Sequence, residues 1–478
     1  MYDVIIIGSG VVGAMHAREL SRYPLKVLVL EKNNDVSMEA TLANSAVVHS
    51  GHDPKPGSLK AKFNVLGNRM YRQISHELHV PILECGGMVV ATSPEEEQVL
   101  DDLFVRAGVN GLREEEYQML TREEALMIEP NLSDHVTKAL NLPTTAVTFP
   151  WELAIAGLEN AVNNGADVLL NHEVTDIERT DKGYVVHAGG DLFETKVIIN
   201  SAGVYAAHIS EMLHPKFFTI TPRRGEYFVT DNRFPIVKTV VYPAPGKKGK
   251  GILATPMVHG NTLLGPTSNL VGFEDQHITS AEGLQEVRDN ITKTLKHVPF
   301  DKIIRSFAGS RPTGDAGDFI IEETSPGFIN LGGIESPGLT AAPAIADYVV
   351  QELVIPRFSV KPKADFDPTR RERVKMQEMT IEERNEYIQK DSKYGKIICR
   401  CETVTEAEIL DAIHRPVGAR TMVGTKLRTR AGAGRCQGAF CSLEVLKILS
   451  HELKIDPIDV EYKHKGSNVL AAKTKGAV

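Results

Sequence analysis

Four of the five cysteines fall into two close pairs, Cys399-Arg400-Cys401 and Cys436-x4-Cys441, with 34 residues between the pairs. In a chain without a secretory signal, such clustering reads as a metal site before it reads as disulfides. Four thiolates so spaced can bind zinc or a 2Fe-2S cluster, and the spacing leaves both open. Residues 412–435 carry six Arg or Lys and no Asp or Glu. A thiolate-ligated iron pair keeps net negative charge, so a basic, Gly-rich loop would stabilise it and raise its potential; a solvated basic face is the plainer alternative. Cys85 stands alone and reads as a small core residue.

At the other end, Gly8-Ser9-Gly10-Val11-Val12-Gly13 follows an apolar run and opens a helical pattern, and Glu31 ends the next apolar run. That is the dinucleotide fingerprint in its required context. Gly8 permits the tight turn, Gly10 lets the backbone approach a pyrophosphate, and Gly13 lets helix and strand pack closely. The helix N-terminus offers N–H groups to the phosphates, and Glu31 can accept from ribose hydroxyls. The motif does not separate NAD from FAD. Two later segments favour a flavin. Ile198–Gly203 is a strand ending in small residues, and Gly332–Thr340 leads into a helix expected over about 340–353, whose N-terminal dipole suits an electron-rich ring.

These segments need elements to hold them. Apolar runs at 3–7 and 26–30 flank a helix at 11–21, a βαβ unit. A long helix is expected over 58–79, another over 151–163, strands at 169–177, 183–188 and 197–200, several strands and turns over 217–270 (Gly246–Gly251 being one turn), and a helix over 280–297. The 478 residues suggest several domains, and 42% apolar content supports a large core. The net charge of −8 argues against nucleic acid as the main partner. No apolar run approaches the roughly 18 residues of a membrane span, and the N-terminus carries no signal pattern. The expectation is a cytoplasmic protein, any contact with the inner face of a membrane being peripheral and through a partner.

With these motifs in place, the first 355 residues resemble the D-amino-acid-oxidase-like FAD oxidoreductases. Within them, the anaerobic glycerol-3-phosphate dehydrogenase large subunits and the L-2-hydroxyglutarate dehydrogenases are most similar. The fingerprint with Glu31, Asn44–Gly51, Gly57–Lys62, Arg224–Tyr227, Arg311–Asp315 and Gly333–Pro343 carry the likeness. Ala46 departs from the usual Gly. The resemblance implies FAD held by Gly8, Gly10, Gly13 and Glu31, with Thr41, Asn44, Ser45 and His49 near the flavin. It also implies adenine contact by the Val174 backbone, Ala202 and Gly203 beneath the cofactor, and Gly333, Gly338, Leu339 and Thr340 closing the ring end. Residues 397–445, with Thr425–Gly438 between the cysteine pairs, resemble the 2Fe-2S domain of bacterioferritin-associated ferredoxin, which implies Cys399, Cys401, Cys436 and Cys441 as cluster ligands. The implied fold is α/β (α+β overall): a Rossmann-like FAD-binding domain (about 1–80, 145–215 and 305–355) interleaved with an antiparallel-sheet substrate domain (about 81–144 and 216–304). A linker (356–395), a small helical cluster domain (396–450) and a tail (451–478), whose last residues from Lys473 look mobile, follow.

A flavin accepts a hydride from a carbon bearing OH or NH, and a base must take the hydroxyl proton. His49 is the candidate base, a hydrogen bond to the flavin being its competing role. Arg311 is the first candidate for binding an anionic substrate and Arg224 the second; a structural Arg tying loops is the alternative for both. The Lys60-Ala61-Lys62 segment suits an anion as well. His259 reads as a surface-turn residue. The favoured reaction is oxidation of sn-glycerol 3-phosphate, with electrons leaving through the 2Fe-2S cluster to a redox partner protein, a second flavoprotein or a quinone-linked subunit. An L-2-hydroxy acid dehydrogenase, an amine or opine oxidase, and an electron-transfer subunit with no substrate are the alternatives.

Overall fold

The computed structural model describes residues 1–246 and 251–474, so the turn expected at Gly246–Gly251 falls largely outside the described residues. The N-terminal strand Tyr2–Ile7 is buried along Val4–Ile7, as a strand covered on both faces must be. It pairs in parallel with Val27–Leu30 on one side and with Asp191–Asn200 on the other. Asp167–Leu169 extends the sheet in parallel beyond Val27–Leu30, and Phe328–Gly332 pairs in parallel with the end of Asp191–Asn200. A hairpin, Val174–Thr180 with Gly183–Ala188, pairs antiparallel with the first half of Asp191–Asn200. The single strand expected over 169–177 is therefore two strands in different parts of one sheet.

The helices Val11–Leu20, Leu59–Leu78, Pro150–Asn163 and Gly338–Tyr348 bury their apolar residues in one large core against this sheet. Ser58 caps the second of them with its side chain, and His79 ends it in the left-handed conformation. The last begins two residues before the expected position, at Gly338, and runs on through π-type turns, Val349–Val354, to Phe358. By length and composition, Gly338–Phe358 could cross a membrane, but most of it is buried inside the fold.

The second sheet has nine strands and is antiparallel except where Val240–Pro243 runs parallel to Gly87–Ala91. Its longest pairing joins Ile220–Thr230 to Ile303–Gly314, so that Arg223 lies opposite Arg311. Residues of the segment 37–49 line one cavity with Leu30 of the first sheet and Tyr227 of the second. A small sheet there pairs Val47–Val48 with Ala146–Thr148 and so fixes the backbone leading to His49.

The stretch after Phe358 runs back over the first core. Arg370 is buried against Glu159, and Arg373 pairs with Glu152, both acids lying on the helix Pro150–Asn163. The helix Ile381–Lys390 that follows buries no residue and is solvated, as its composition suggests. The cysteine-bearing segment has its own core, built from Ile409, Ile413, Val445, Leu449 and Val460. The first part of the expected tail belongs to this core, while most of the last residues, expected to be mobile from Lys473, lie outside the described residues. Val460 is fully buried, and Met422 and Val423 donate to the carbonyls of Glu461 and Tyr462, because the helix start at Met422 needs acceptors for its N–H groups.

Candidate functional site

A long cavity runs from the fingerprint turn, past Glu31 and Val174 at one end, to Ser336, Gly338 and Leu339 at the other. Gly8 has φ +100°, and a Cβ there would meet Ser201 O at 2.8 Å; a Cβ on Gly13 would stand 2.0 Å from Gly8 O. Both positions therefore demand glycine. Gly10 caps the first helix without a side chain, and Thr41 Oγ1 substitutes by accepting from Val11 N at 2.9 Å. Glu31 is nearly buried and accepts four hydrogen bonds, from N and Oγ of Ser9 and from N and Nδ2 of Asn33. It thereby braces the turn as well as lining the cavity. Ala202 and Gly203 also line it, and Gly203, at φ +59°, has open space where a Cβ would be.

At the other end, the start of the helix Gly338–Tyr348 faces the cavity with no side-chain cap, leaving an electropositive helix end for an electron-rich ring. Thr340 and Gly333 stand behind this wall rather than in it. Thr340 Oγ1 accepts the His49 N–H at 2.8 Å, and Gly333, at φ +63°, packs beside Gly314. The His49 carbonyl is held by the side-chain amides of Asn64 at 2.7 Å and Asn68 at 3.1 Å. Three helical residues thus clamp one backbone unit. The imidazole lines the cavity, with Nδ1 3.4 Å from Tyr242 Oη and Nε2 3.4 Å from Ser336 Oγ. Burial, with Cys85 adding to it, pushes the Tyr242 phenol upward, so it stays protonated beside the ring.

Asn44 shapes its own loop. Its amide donates to the Ala40 and Thr41 carbonyls, and its oxygen accepts the Ala46 N–H at 2.7 Å. Ala46 has φ +61°, a left-handed conformation in which glycine is the ordinary occupant. Ser45 Oγ lies 3.2 Å from Tyr227 Oη, and the Tyr227 ring stacks on Phe307 at 4.6 Å. Burial raises the Tyr227 pKa, while Arg311 and Ser45 pull the other way.

Arg311 lines the cavity, and one of its amino groups donates to Thr267 O at 2.8 Å. Its guanidinium is thus anchored at one corner and presented at another. Arg224 takes the alternative reading. It is not among the cavity-lining residues, and it contacts Glu226, Ser280 and the Asp275 carbonyl. Neighbouring residues of a strand point to opposite faces, which puts Arg224 behind the sheet. The lysines of 60–62 are occupied too: Lys60 pairs with Glu335 at 2.9 Å, and Lys62 lies over Phe63 and Tyr348. His259 is in a turn but half-buried, stacked on Phe149 at 5.1 Å. Tyr227, Tyr242 and Ser336 carry no spacing signal in the sequence that marks them as site residues.

The four cysteines converge. Cys401 and Cys436 have their sulfurs 3.5 Å apart, and Cys441 donates to Cys399. That hydrogen bond holds the Cys399 thiol down to about 6 against its burial, and N–H groups of Gly432, Glu402 and Cys401 add to it; Cys441, as the donor, is raised. Burial opposes ionisation of Cys436, yet the Cys401 hydrogen bond and the N–H groups of Gly438, Phe440 and Ala439 carry it below its usual value. Two nests of backbone N–H therefore surround the sulfurs, the environment a negatively charged cluster needs. Three of the six basic residues are paired with acids. Arg428 pairs with Asp35 at 2.7 Å in the first domain, Arg415 with Glu159 and Asp411, and Arg430 with Glu402.

Comparison with known proteins accords with both sites. Residues 3–352 match the family model for FAD dependent oxidoreductases (DAO), and 397–451 match the BFD-like 2Fe-2S binding domain. The chain is 44% identical to a glycerol 3-phosphate dehydrogenase of Caloramator mitchellensis, over the full length of both. It is 30% identical to an L-2-hydroxyglutarate dehydrogenase of Indibacter alkaliphilus over 64% of this chain and 76% of that one. Among solved structures, the dithionite-reduced L-α-glycerophosphate oxidase of Mycoplasma pneumoniae with FAD bound superposes with a TM-score of 0.74 at 33% identity, covering 77% of this chain and 98% of that chain. The thiol set suits zinc as well as iron, and the match to the BFD-like domain decides for the 2Fe-2S cluster. The chain belongs to the DAO family of FAD-dependent oxidoreductases and carries a BFD-like 2Fe-2S binding domain after it.

Proposed function

We propose that this enzyme oxidises sn-glycerol 3-phosphate to dihydroxyacetone phosphate and passes the electrons through its 2Fe-2S cluster to a partner protein. The similarity to a glycerol 3-phosphate dehydrogenase over both whole chains, cluster segment included, carries this reading. Oxidation removes the hydrogen on C2 as a hydride and the hydroxyl hydrogen as a proton, leaving a C=O bond. Bound FAD supplies the two-electron acceptor for that hydride. His49 takes the hydroxyl proton: its ring lines the cavity, its backbone is clamped from both sides, and Tyr242 orients one nitrogen. Arg311 binds the phosphate with the part of its fork not used on Thr267. Gly8, Gly10, Gly13, Glu31, Val174, Ala202 and Gly203 hold the nucleotide end of FAD, while Thr41, Asn44, Ser45, Gly338 and Leu339 bound the ring end. The four cysteines ligate the cluster. A redox protein, either a second flavoprotein or a quinone-linked subunit, is the acceptor, because a one-electron centre beside a two-electron flavin suits onward transfer rather than reaction with oxygen.

Anaerobic mixing of the holoenzyme with glycerol 3-phosphate and, in parallel, with L-2-hydroxyglutarate tests this. Glycerol 3-phosphate should bleach the flavin band within the dead time or seconds, and the hydroxy acid should leave it unchanged. Bleaching by the hydroxy acid alone, or by neither, overturns the assignment. His49→Asn should slow bleaching by about 10²–10⁴-fold at unchanged FAD content.

A further inference from the structure

The four sulfurs are closed off on one side and open on the other. Cys399 and Cys441 are buried, whereas Cys401 is exposed and Cys436 partly so. Large apolar side chains stand in water on the elements that hold these sulfurs. Phe440, next in sequence to Cys441, is 82% exposed, more than any other large apolar side chain among the described residues, and its backbone N–H is one of those on the Cys436 sulfur. The helix Ser442–Leu453 buries Val445, Leu446 and Leu449 in the core of the segment but leaves Leu443, in its first turn, 58% exposed. Ile397, two residues before Cys399, is 52% exposed. Lys396, bonded to Glu406, also feels Glu444, so the strand Ile397–Cys399 starts beside that same first turn. Apolar surface concentrated in this way around one edge of a centre marks an interaction site.

The charged residues of this edge leave a basic remainder. Lys396 with Glu406, Lys447 with Glu444, and Arg430 with Glu402 cancel in pairs. Arg400, between the first two cysteines, and Arg435, just before the third, are exposed and enter no ion pair among the described residues. Arg435 acts at longer range on Asp231, but that carboxylate is held first of all by Arg233, at 2.6 Å. Two arginines thus stand in water beside the sulfurs, on a chain whose net charge is −8. An apolar centre with a rim of one sign is the form of a small, transient protein interface, in which the rim steers the partner and the centre holds it briefly.

We propose that Phe440 and Leu443, rimmed by Arg400 and Arg435, form the docking surface for a one-electron carrier protein whose own face is apolar at its centre and acidic at its rim. The surface rests on the proposed delivery of electrons to a partner protein and fixes where, and by what chemistry, that partner is recognised. Each docking moves one electron and no proton: the reduced cluster is oxidised and the carrier's centre is reduced. Two dockings clear the two electrons of one hydride, whose proton passes to water. A carrier that must leave after every electron needs a small contact rather than a permanent one.

The test uses the full-length, FAD- and cluster-loaded protein, reduced with dithionite and freed of excess reductant, so no glycerol 3-phosphate is needed. It is mixed in stopped flow with the acidic soluble domain of cytochrome b5 and, separately, with the basic cytochrome c. Reduction of cytochrome b5 should slow about tenfold or more as salt rises from about 20 to 500 mM, and reduction of cytochrome c should not slow. The double variant Arg400→Ser, Arg435→Ser should lose that salt dependence. Phe440→Ser should slow reduction of cytochrome b5 about tenfold or more at unchanged iron content and melting temperature, and Leu443→Ser gives a second reading of the same loss. Calorimetric titration of the oxidised protein with cytochrome b5, in which no electron moves, should show binding weakened to the same degree in these variants. Reduction of cytochrome b5 without salt dependence, or variants that behave as the parent does, would overturn the docking surface and leave delivery to a protein acceptor standing. Reduction of neither cytochrome would overturn both. A smaller oligomer on Phe440→Ser would make this edge a contact between copies of the chain and would also overturn the proposal.

Discussion

At the scale of the residue, two positions carry measurable strain or charge. Ala46 sits at φ +61°, held there by Asn44 from one side and by the Thr148 N–H on its carbonyl. A left-handed residue with a Cβ costs roughly 1–2 kcal/mol, so Ala46→Gly should raise unfolding free energy by about 1 kcal/mol in denaturant titration. A loss instead would mean that the methyl, which lines the flavin cavity, packs well enough to outweigh the strain. His16 is fully buried in the first helix, its Nδ1 2.8 Å from the Val12 carbonyl, and burial lowers its pKa to about 4. The unfolded chain takes up that proton near 6.5 and the folded chain resists it. Its contribution is therefore whole above pH 6.5 and falls as pH drops toward 4, by about 3 kcal/mol in all. Urea unfolding at pH 7.5 and pH 5 should show this slope in the parent and a shallower one in His16→Gln.

At the scale of the element, the site depends on how closely helices approach one another. Gly67, inside the helix Leu59–Leu78, would place a Cβ 1.9 Å from Thr340 O at the start of the helix that ends the flavin cavity. In an isolated helix Gly67→Ala would help by up to about 1 kcal/mol; here overpacking should reverse the sign, costing about 1–3 kcal/mol. Because Thr340 also holds the His49 N–H, the same variant should lower FAD retention on dialysis. Stability at or above the parent's, with FAD fully retained, would contradict the close approach.

At the scale of the whole molecule, the cluster segment is fastened to the flavin domain by buried charge. Asp35 and Arg428 are almost wholly buried and joined by two bonds at 2.7 and 2.8 Å, while Glu159 sits between Arg370 and Arg415. Removing one partner strands the other, at about 3–5 kcal/mol. Asp35→Ala should therefore loosen the cluster segment. In stopped-flow mixing, substrate should still bleach the flavin at the parent rate, while reduction of the cluster lags by more than tenfold. Parallel loss of both steps would show a general collapse instead.

What the sequence determined by itself lay in short, local patterns. The Gly8–Gly13 turn, the 3.6-residue period of 58–79, and the paired cysteines each work through neighbours a few residues away, so spacing alone reveals them. The structure alone decided that Arg224 turns away from the cavity that Arg311 lines, because a strand sends Arg223 and Arg224 to opposite faces and the sheet pairing sets Arg223, not Arg224, opposite Arg311. It also decided that the basic run near the cysteines serves in part to bind domains together, since Arg428 meets Asp35 across 393 residues of chain.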